Sequence, residues 1–395
     1  MLPRQAIQQA GEDRMGGSGI QRAEPQGIRI RESGGGKIAA VGKTVLSRLD
    51  ALELEHCVRS SESIDSAGSY MQFSIDPAHA QRWAPGYDTL ALSSTLQLGS
   101  LPSSAALTRE IVVAMLMGPV AFEFPSINEL VSAVRIRHNI ARAASKTTLA
   151  FHTSQAERPE DCWTYREDAG FVIRSGVSLI TALAKATQPE VSGALYSFSC
   201  YRATEYVILL GIAEELASCN PALLGQLQAF WNERPIMSGQ FHDVFLREQG
   251  SMEEPLPPRY FVPGDRTWFR NPHEPSADAS GYEGSWVIYL GGGLFSNFWK
   301  REQPFTLTDK CLEIYHWRNA IYLDANGDKR INEEKVEALV TAARQEASEV
   351  ERILAVMLRY REPRGVYRHG GCLDTTREFA RWVCPGTADL ILPKE

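Results

Sequence analysis

Three kinds of sequence feature are scarce or missing, and each absence narrows the possible functions. Acidic residues outnumber basic ones, 48 Asp+Glu against 41 Lys+Arg, and no run of basic residues occurs. Nucleic-acid binding normally needs a basic patch that follows the phosphates, so we expect no nucleic-acid partner. The longest apolar run, around residues 206–213, is far shorter than the ~20 residues of a membrane-spanning helix, so we expect no membrane partner.

Cysteine pairs with motif spacing are also missing. The seven cysteines are odd in number, widely scattered and include no Cys-x-x-Cys pair. This pattern supports neither a disulfide framework nor a zinc site, so we predict reduced thiols, no metal and no cofactor. The first residues, MLPRQAIQQAGEDRMGG, lack the apolar core of a secretory signal. We expect a cytoplasmic protein, and export as an effector without a cleaved signal peptide stays open.

The order of the predicted elements indicates an α+β fold. Residues 1–43 are polar and glycine-rich and predict a flexible leader, because they bury too little apolar surface to offset chain entropy. Ser126 and Glu129 have the spacing of a capping box before a helix. Strand patterns follow in 259–331, including DKCLEIYHWRNAIYLDANGDKRI, and a helix capped by Asn332 comes after them. Helices, then strands, then a helix favour an antiparallel sheet over a βαβ arrangement.

Cys200 is the first candidate for chemistry. It follows Ser197 and Ser199, both residue types that cap helix N-termini, and it precedes the apolar stretch ATEYVILLG. The first turn of a helix presents backbone N–H groups and favours an anion, and the thiolate is the reactive form of cysteine. A rigid apolar helix would hold such a thiol in a fixed direction, although a buried structural cysteine would give the same pattern.

A cysteine nucleophile needs a basic partner, usually a histidine. His316 lies in CLEIYHWRN, an apparent strand, and follows Cys200 in the chain order of papain-like enzymes, with cysteine on a central helix and histidine on a later strand. His242 fits this order less well, because QFHDVF indicates a helix or loop. A lone strand histidine is also common as a hydrogen-bonded packing residue.

Four segments carry a family resemblance in chain order: GPVAFEFPSINELVSAVRIRHNIARAA, LYSFSCYRATEYVILLG, PGDRTWFRNP and GSWVIYLG. Together they resemble the bacterial spore-coat type protein-glutamine gamma-glutamyltransferases, over roughly residues 117–340. The resemblance implies a calcium-independent transglutaminase with a papain-like core, in which the central helix carrying the cysteine packs on an antiparallel sheet. Cys200 lies where the family has its nucleophile.

With the resemblance, the chain divides into four predicted parts. Residues 1–43 are the flexible leader and residues 44–115 an accessory N-terminal extension. Residues 116–362 form the papain-like transglutaminase catalytic domain, and residues 363–395 a C-terminal tail. The first ~115 and last ~40 residues have no counterpart in the segments that carry the resemblance.

The other family site residues transfer less directly. An ungapped alignment places Ser285 at the family's glutamate and Phe298 at its histidine. Glu283 lies two residues before Ser285, which is the same face of a strand, so we predict that Glu283 supplies the carboxylate. An inserted hairpin between the two aligned parts makes His316 the equivalent histidine. The catalytic set implied by the resemblance is therefore Cys200, His316 and Glu283.

The resemblance implies covalent acyl transfer between protein substrates. Cys200 would attack a glutamine side-chain amide of one protein and release ammonia, and a lysine amine of another would take the thioester to form an isopeptide cross-link. Ser199 replaces the glutamate that usually precedes the cysteine. This and Ser285 leave two alternatives open: a papain-like glutamine deamidase or amidase effector, and an inactive binding module of the same fold.

Two further motifs have simpler explanations. DANGDKRINEEK resembles a calcium loop, but Lys329 and Lys335 occupy the glycine and bidentate-acid positions, so we predict a hairpin with a type I′ turn. HGGCLDTT pairs His369 with Cys372 as a weaker alternative nucleophile. The aromatic residues that follow the cysteine predict walls for a lysine-sized tunnel: Trp268, Phe269, Trp286, Phe295 and Trp299.

Overall fold

The computed structural model describes residues 24–31, 38–98, 103–150, 156–236, 238–361 and 370–393. Helices in these residues range from single turns to twenty residues. In chain order they are α1 (Ile38–Asp50), α2 (Pro77–Trp83), α3 (Leu92–Thr95), α4 (Ser104–Leu116), α5 (Ile127–Lys146), α6 (Leu179–Thr187), α7 (Pro189–Ser192), α8 (Cys200–Cys219), α9 (Pro221–Glu233), α10 (Ser238–Phe245), α11 (Glu274–Ala277), α12 (Leu307–Trp317), α13 (Glu333–Arg344) and α14 (Ala347–Met357).

The strands are short and mostly antiparallel. In chain order they are β1 (Ile28–Ile30), β2 (Val58–Asp65), β3 (Gly68–Ile75), β4 (Phe122–Phe124), β5 (Trp163–Arg166), β6 (Gly170–Ile173), β7 (Leu246–Gln249), β8 (Arg266–Arg270), β9 (Gly284–Gly291), β10 (Leu294–Phe295), β11 (Phe305–Thr306), β12 (Ile321–Leu323), β13 (Lys329–Ile331) and β14 (Arg377–Ala380). One sheet has the order β2-β3-β1-β4, with β1 and β4 parallel. A larger one has the order β11-β10-β9-β8-β14-β7, and β5-β6 and β12-β13 are hairpins.

Helix α8 lies at the centre of the largest apolar cluster and packs against α5, α6 and β9. Val207, Leu209 and Ile212 are fully buried along it, and each such side chain stabilises the fold by about 1.5–3 kcal/mol. Gly211 allows α5 to approach closely, because a Cβ at this position would lie 2.6 Å from the Ile140 side chain. Neither α8 nor any other helix in the described part of the chain is long and apolar enough to cross a membrane.

The predicted α+β class with antiparallel sheets is confirmed, as are several local signals. Ser199 caps α8 by accepting a hydrogen bond from the Arg202 N–H, and Asn332 caps α13. The capping box at α5 is half correct. Ser126 accepts from the Glu129 N–H, but the Glu129 carboxylate accepts from residues 383–387 instead of the cap.

The strand predicted to contain His316 is wrong, because Leu307–Trp317 form helix α12. Thr306 and Asp309 make a reciprocal capping box at its start. These hydrogen bonds start a helix directly before a segment whose apolar and polar residues alternate as in a strand. The hairpin about DANGD is confirmed as β12–β13. Its type I′ turn is wrong: among the described residues of that loop only Gly327 has positive φ, at +83°.

Elements from the predicted leader and tail take part in the sheets. Ile28–Ile30 form β1, which pairs with β3 and β4, so this part of the predicted leader is a buried strand. Arg377–Ala380, in the predicted tail, form β14 between β7 and β8. Residues 1–23 lie outside the described residues, and the four-part division of the chain stays a prediction.

Candidate active site

A cavity of about 450 Å³ opens at the N-terminus of α8. The start of α8 forms one wall, and the segment 280–286 that leads into β9 forms a second. Residues 296–299 and the helix α12 complete it. A helix start, a strand start and a second helix therefore meet around one space, which is the arrangement that ligand and substrate sites commonly have.

Cys200 is the first residue of α8 and lines this cavity. Burial raises the pKa of its thiol, while the backbone N–H groups of Trp286 and Tyr201 and the charge of Lys310 lower it. Burial has the largest effect, so the neutral thiol is favoured at rest. The N–H groups of Trp286 and Tyr201 and the charge of Lys310 favour the thiolate. The predicted position at a helix N-terminus is confirmed.

A buried arginine, Arg266, packs against two residues that neighbour Cys200. The Arg266 guanidinium lies over the ring of Tyr201, 4.5 Å from its centre, and over the ring of Trp286, 4.1 Å from its centre. Its Nη1 also lies 3.3 Å from a carboxylate oxygen of Glu378. Because Tyr201 follows Cys200 and Trp286 provides the facing N–H group, Arg266 fixes two neighbours of the thiol.

Lys310 brings a positive charge into the cavity. It is 3% exposed, and its Nζ lies 3.4 Å from the centre of the Phe305 ring. The same Nζ donates to the Glu313 carboxylate at 2.8 Å, one helical turn along α12. Lys310 is the one basic side chain among the described residues that line the cavity.

Glu283 also lines the cavity, directly before β9 rather than within the strand. It is exposed, and its carboxylate lies 3.5 Å from the Gly281 N–H. Tyr282 donates to Glu333 at 2.8 Å, and both of these residues line the same space. The structure thus brings Glu283 and Cys200 to one cavity and adds further carboxylates to its wall.

His316 is not brought to this cavity. Lys310, Glu313 and Trp317 of α12 line the cavity, whereas His316 does not. Its Nδ1 lies 3.1 Å from the Asn319 amide nitrogen, and its Nε2 has no hydrogen-bond partner in the described residues. Burial lowers the pKa of His316, an effect that Glu349 opposes and Arg318 reinforces.

The ungapped family positions do lie at the cavity. Ser285 and Phe298 both line it, so the wall near Cys200 carries a hydroxyl and a phenyl ring where the family pattern has a glutamate and a histidine. Among the described residues that line the cavity, none is a histidine. The alignment with a hairpin inserted between 291 and 310, which the following Asn-Gly turn and helix favour, assigns the family histidine to His316, a residue that does not line this cavity.

The predicted aromatic walls are correct in part. Trp286 and Trp299 line the cavity, and Trp268 stacks on Trp286 with ring centres 5.7 Å apart. Phe269 and Phe295 are instead fully buried in the apolar core beneath the sheet. Phe198, Phe305 and Trp317 also line the cavity and were missed.

The remaining candidates have structural explanations. His242, Glu248 and Glu378 place ligand atoms within 4.8 Å of one another, but Glu378 already accepts from His242 at 2.8 Å and pairs with Arg266. These ion pairs account for the cluster. Cys372 is buried with its sulfur 3.8 Å from that of Cys311, and burial raises its pKa well above the usual range. His369 lies outside the described residues.

Sequence reasoning missed Lys310, Glu313 and Arg266. The signal for the first two was present as Thr306 and Asp309, whose spacing marks a helix start. Once 307–317 is taken as a helix, Lys310 and Glu313 are neighbours on one face. Arg266 had no local signal, because its contacts come from three separate parts of the chain.

The site therefore defines a class: an α+β protein with a cysteine at a helix start that faces a cavity rich in aromatic and acidic side chains. The model of the family described as protein-glutamine gamma-glutamyltransferase matches residues 92–390 of the chain. The chain belongs to this family. The match extends beyond residues 117–340 on both sides and includes β14. None of the curated proteins compared matches the chain.

Proposed function

We propose that the protein is a protein-glutamine gamma-glutamyltransferase that uses Cys200 as its nucleophile. Family membership supports the reaction, and the observation that carries the assignment to this residue is the position of Cys200 as the first residue of α8, open to the cavity. Its substrates would be proteins, one donating a glutamine and another a lysine. The papain-like character of the core is part of this proposal and is supported by the contact of α8 with β9.

The thiolate would form a bond to the glutamine carboxamide carbon and pass its charge to the oxygen. Backbone N–H groups of the first turn of α8 and of Trp286, which favour the thiolate, would stabilise that oxygen in the manner of an oxyanion hole. Loss of ammonia leaves a thioester. A lysine amine then forms the isopeptide bond and releases the sulfur, so one difficult acyl transfer becomes two easier steps.

Glu283 would act on the incoming amine. Its carboxylate is exposed at the cavity wall and free to accept from an ammonium group or a neutral amine. Trp286 and Trp299 line the same wall and would enclose the aliphatic part of a lysine side chain while reducing access of water. Exclusion of water matters because water competes with the amine for the thioester.

A second candidate is hydrolysis of the same thioester, which makes the protein a glutamine deamidase or amidase. The observation that favours it is the phenyl ring of Phe298 and the hydroxyl of Ser285 at the wall, where the family pattern has its histidine and glutamate. A third candidate is a binding module without catalysis. Phe298 and Ser285 support it as well, and so does Ser199, which replaces the family's glutamate before the cysteine.

One experiment separates the three. The protein is incubated with a glutamine-donor protein and a labelled primary amine, and both amine incorporation and ammonia release are measured. Incorporation that disappears in Cys200→Ala supports transfer, and ammonia release without incorporation supports deamidation. Cys219→Ala is the matched control, since Cys219 is a half-buried cysteine at the other end of the same helix. If neither amine incorporation nor ammonia release is detected and Cys200 is unreactive, the binding module is the remaining candidate.

A further inference from the structure

Cys200 and Lys310 line the same cavity from two different helices. We propose that Lys310 is the charge partner of the Cys200 thiolate and the group that gives a proton to the departing amine, with Glu313 holding the lysine in place. The three residues form the sequence of nucleophile, proton carrier and orienting carboxylate that acyl-transfer sites use, and lysine serves as the second member in some of them.

The first support is the position of Lys310. A lysine that is 97% removed from solvent needs compensation, because burying an ammonium group is costly. Glu313 provides one carboxylate oxygen at 2.8 Å, and the Phe305 ring provides a π-face at 3.4 Å. Glu313 and Phe305 line the same cavity as Cys200, so both contacts hold Lys310 at its wall. A lysine with only a packing role would extend its ammonium group to solvent.

The second support is the charge distribution around the thiol. Glu283, Glu313 and Glu333 line the cavity, and carboxylate charges close to a thiol favour its neutral form. The charge of Lys310 acts in the opposite direction on Cys200 and also lowers the pKa of Cys372 behind α12. Without Lys310 no basic side chain is left among the described residues of the wall, and only backbone N–H groups would oppose the effect of burial on the thiol.

The reaction steps rest on the proposed function, and they balance with Lys310 as the carrier. The Cys200 thiol first gives its proton to water, and the thiolate, paired with the Lys310 ammonium group, bonds to the carboxamide carbon. The carbon–nitrogen bond then breaks, and an Nζ proton of Lys310 goes to the nitrogen, which leaves as ammonia. The acceptor amine bonds to the thioester carbon, its proton goes to the neutral Nζ, and the carbon–sulfur electron pair returns to Cys200. Ammonium and thiolate are thereby restored.

The test measures Cys200 itself. The rate of iodoacetamide alkylation at Cys200 is followed by peptide mass spectrometry from pH 5 to pH 10, without any substrate. Because burial raises the pKa of this thiol, midpoints are compared through the rate at a common pH below them, where each unit of midpoint changes the thiolate fraction about tenfold. In Lys310→Met the midpoint rises by about one to two pH units, as expected when an opposite charge is removed, and alkylation below the midpoint slows about tenfold or more. Lys310→Arg keeps the midpoint but loses turnover, because a guanidinium keeps its charge and does not give up a proton.

Matched controls separate the pair from general effects. Lys300→Met removes a surface lysine that is also paired with a glutamate, at 2.8 Å from Glu337, and leaves the midpoint unchanged. His316→Ala also leaves it unchanged. Lys310→Gln, whose amide still donates to Glu313, replaces Lys310→Met if that variant does not fold.

An unchanged midpoint in a folded Lys310→Met or Lys310→Gln protein overturns the proposal, and so does a midpoint that moves in His316→Ala instead. These outcomes are distinct from failure of the proposed function. If the Lys310 variants shift the midpoint but the wild-type protein has no transferase activity, the Cys200–Lys310 pair stands and the proposed function is wrong. Normal transfer in Lys310→Met keeps the function and removes the pair.

Discussion

Trp286 and Cys200 line one cavity, where the start of β9 meets the first turn of α8, and the backbone N–H of Trp286 lowers the pKa of the Cys200 thiol. The thiol therefore depends on two local structures that fold from different parts of the chain. Arg266 lies behind both, over the rings of Tyr201 and Trp286. Changes in the helix cap should consequently affect the thiol and the stability of α8 separately.

Ser199 allows these two effects to be separated. Its Oγ accepts from the Arg202 N–H at 3.2 Å, so Ser199→Ala should lower the free energy of unfolding by about 1 kcal/mol. Ser199→Asp keeps a capping oxygen and stability, but it adds a negative charge beside Cys200. We expect iodoacetamide to alkylate Cys200 more slowly at pH 7 in Ser199→Asp than in wild type. Urea unfolding of both Ser199 variants measures the effect on stability.

The control for Ser199 is Ser126, which caps α5 in the same way with an Oγ–N distance of 3.2 Å. Ser126→Ala should lose a similar amount of stability and leave Cys200 alkylation unchanged, because Ser126 does not line the cavity. Equal alkylation rates in Ser199→Asp and wild type would contradict the expected charge effect.

Two glycines in neighbouring helices should respond to alanine in opposite directions. Gly211 lies in α8, where a Cβ would approach the Ile140 side chain to 2.6 Å and its backbone nitrogen to 3.0 Å. Gly211→Ala must move α5 and should cost about 1–3 kcal/mol of unfolding free energy. Gly225 lies in α9 with open space around it, so Gly225→Ala should stabilise by about 0.4–1 kcal/mol. Urea unfolding of both variants tests the pair, and a stabilised Gly211→Ala would contradict the packing.

The sequence was informative where bonding is local. Ser199, Cys200 and the apolar run after them are contiguous, so the helix start and the position of the thiol in its first turn follow from residues a few positions apart. His316 was misplaced because CLEIYHW alternates like a strand, while the capping box at Thr306 and Asp309 makes it a helix. Because the segment was taken as a strand and not as a helix, Lys310 was also missed; its position at the cavity follows only from helical spacing.

Other parts of the site depend on contacts that no local pattern contains. Glu129 was predicted to cap its own helix, but its carboxylate accepts hydrogen bonds from the backbone of Val383 and Cys384, more than 250 residues away in the chain. Arg266 is placed in the same way by distant partners. Long-range bonds of this kind decide which polar residues are buried, and a single sequence does not reveal them.

The ion pair between Arg137 in α5 and Asp265, directly before β8, should be important for stability. Its atoms are 2.6 Å apart and both side chains are almost fully buried, and Asp265 also accepts from the Val262 N–H at 2.7 Å. Asp265→Ala leaves a buried guanidinium unpaired and should cost about 3–5 kcal/mol of unfolding free energy.

The matched control uses the next arginine pair on the same helix. Arg142 and Glu214 are 2.8 Å apart but far more exposed, so Glu214→Ala should cost less than about 1 kcal/mol. Urea unfolding at one pH measures both variants. Similar losses in the two would show that burial of the Arg137 pair adds nothing.

Two histidines should give stability opposite dependences on pH. The hydrogen bond to Glu378 raises the pKa of His242, helped by the charges of Glu248 and Asp243 and opposed by burial. Its contribution is therefore fully present below the unfolded pKa of about 6.5 and is lost as the pH rises through the folded value. Burial lowers the pKa of His273, so the penalty of that histidine grows as the pH falls below about 6.5.

The measurement is the free energy of unfolding in urea at pH 5.5, 7 and 8.5 for wild type, His242→Gln and His273→Gln. His242→Gln should be most destabilising at pH 5.5 and approach wild type at pH 8.5. His273→Gln should relieve the loss of stability at pH 5.5, since glutamine takes no proton in the unfolded chain. Arg266 still pairs with Glu378 when His242 is neutral, so the carboxylate keeps a partner throughout. A His242→Gln effect that grows with pH would mean that neutral His242, not the ion pair, supplies the stability.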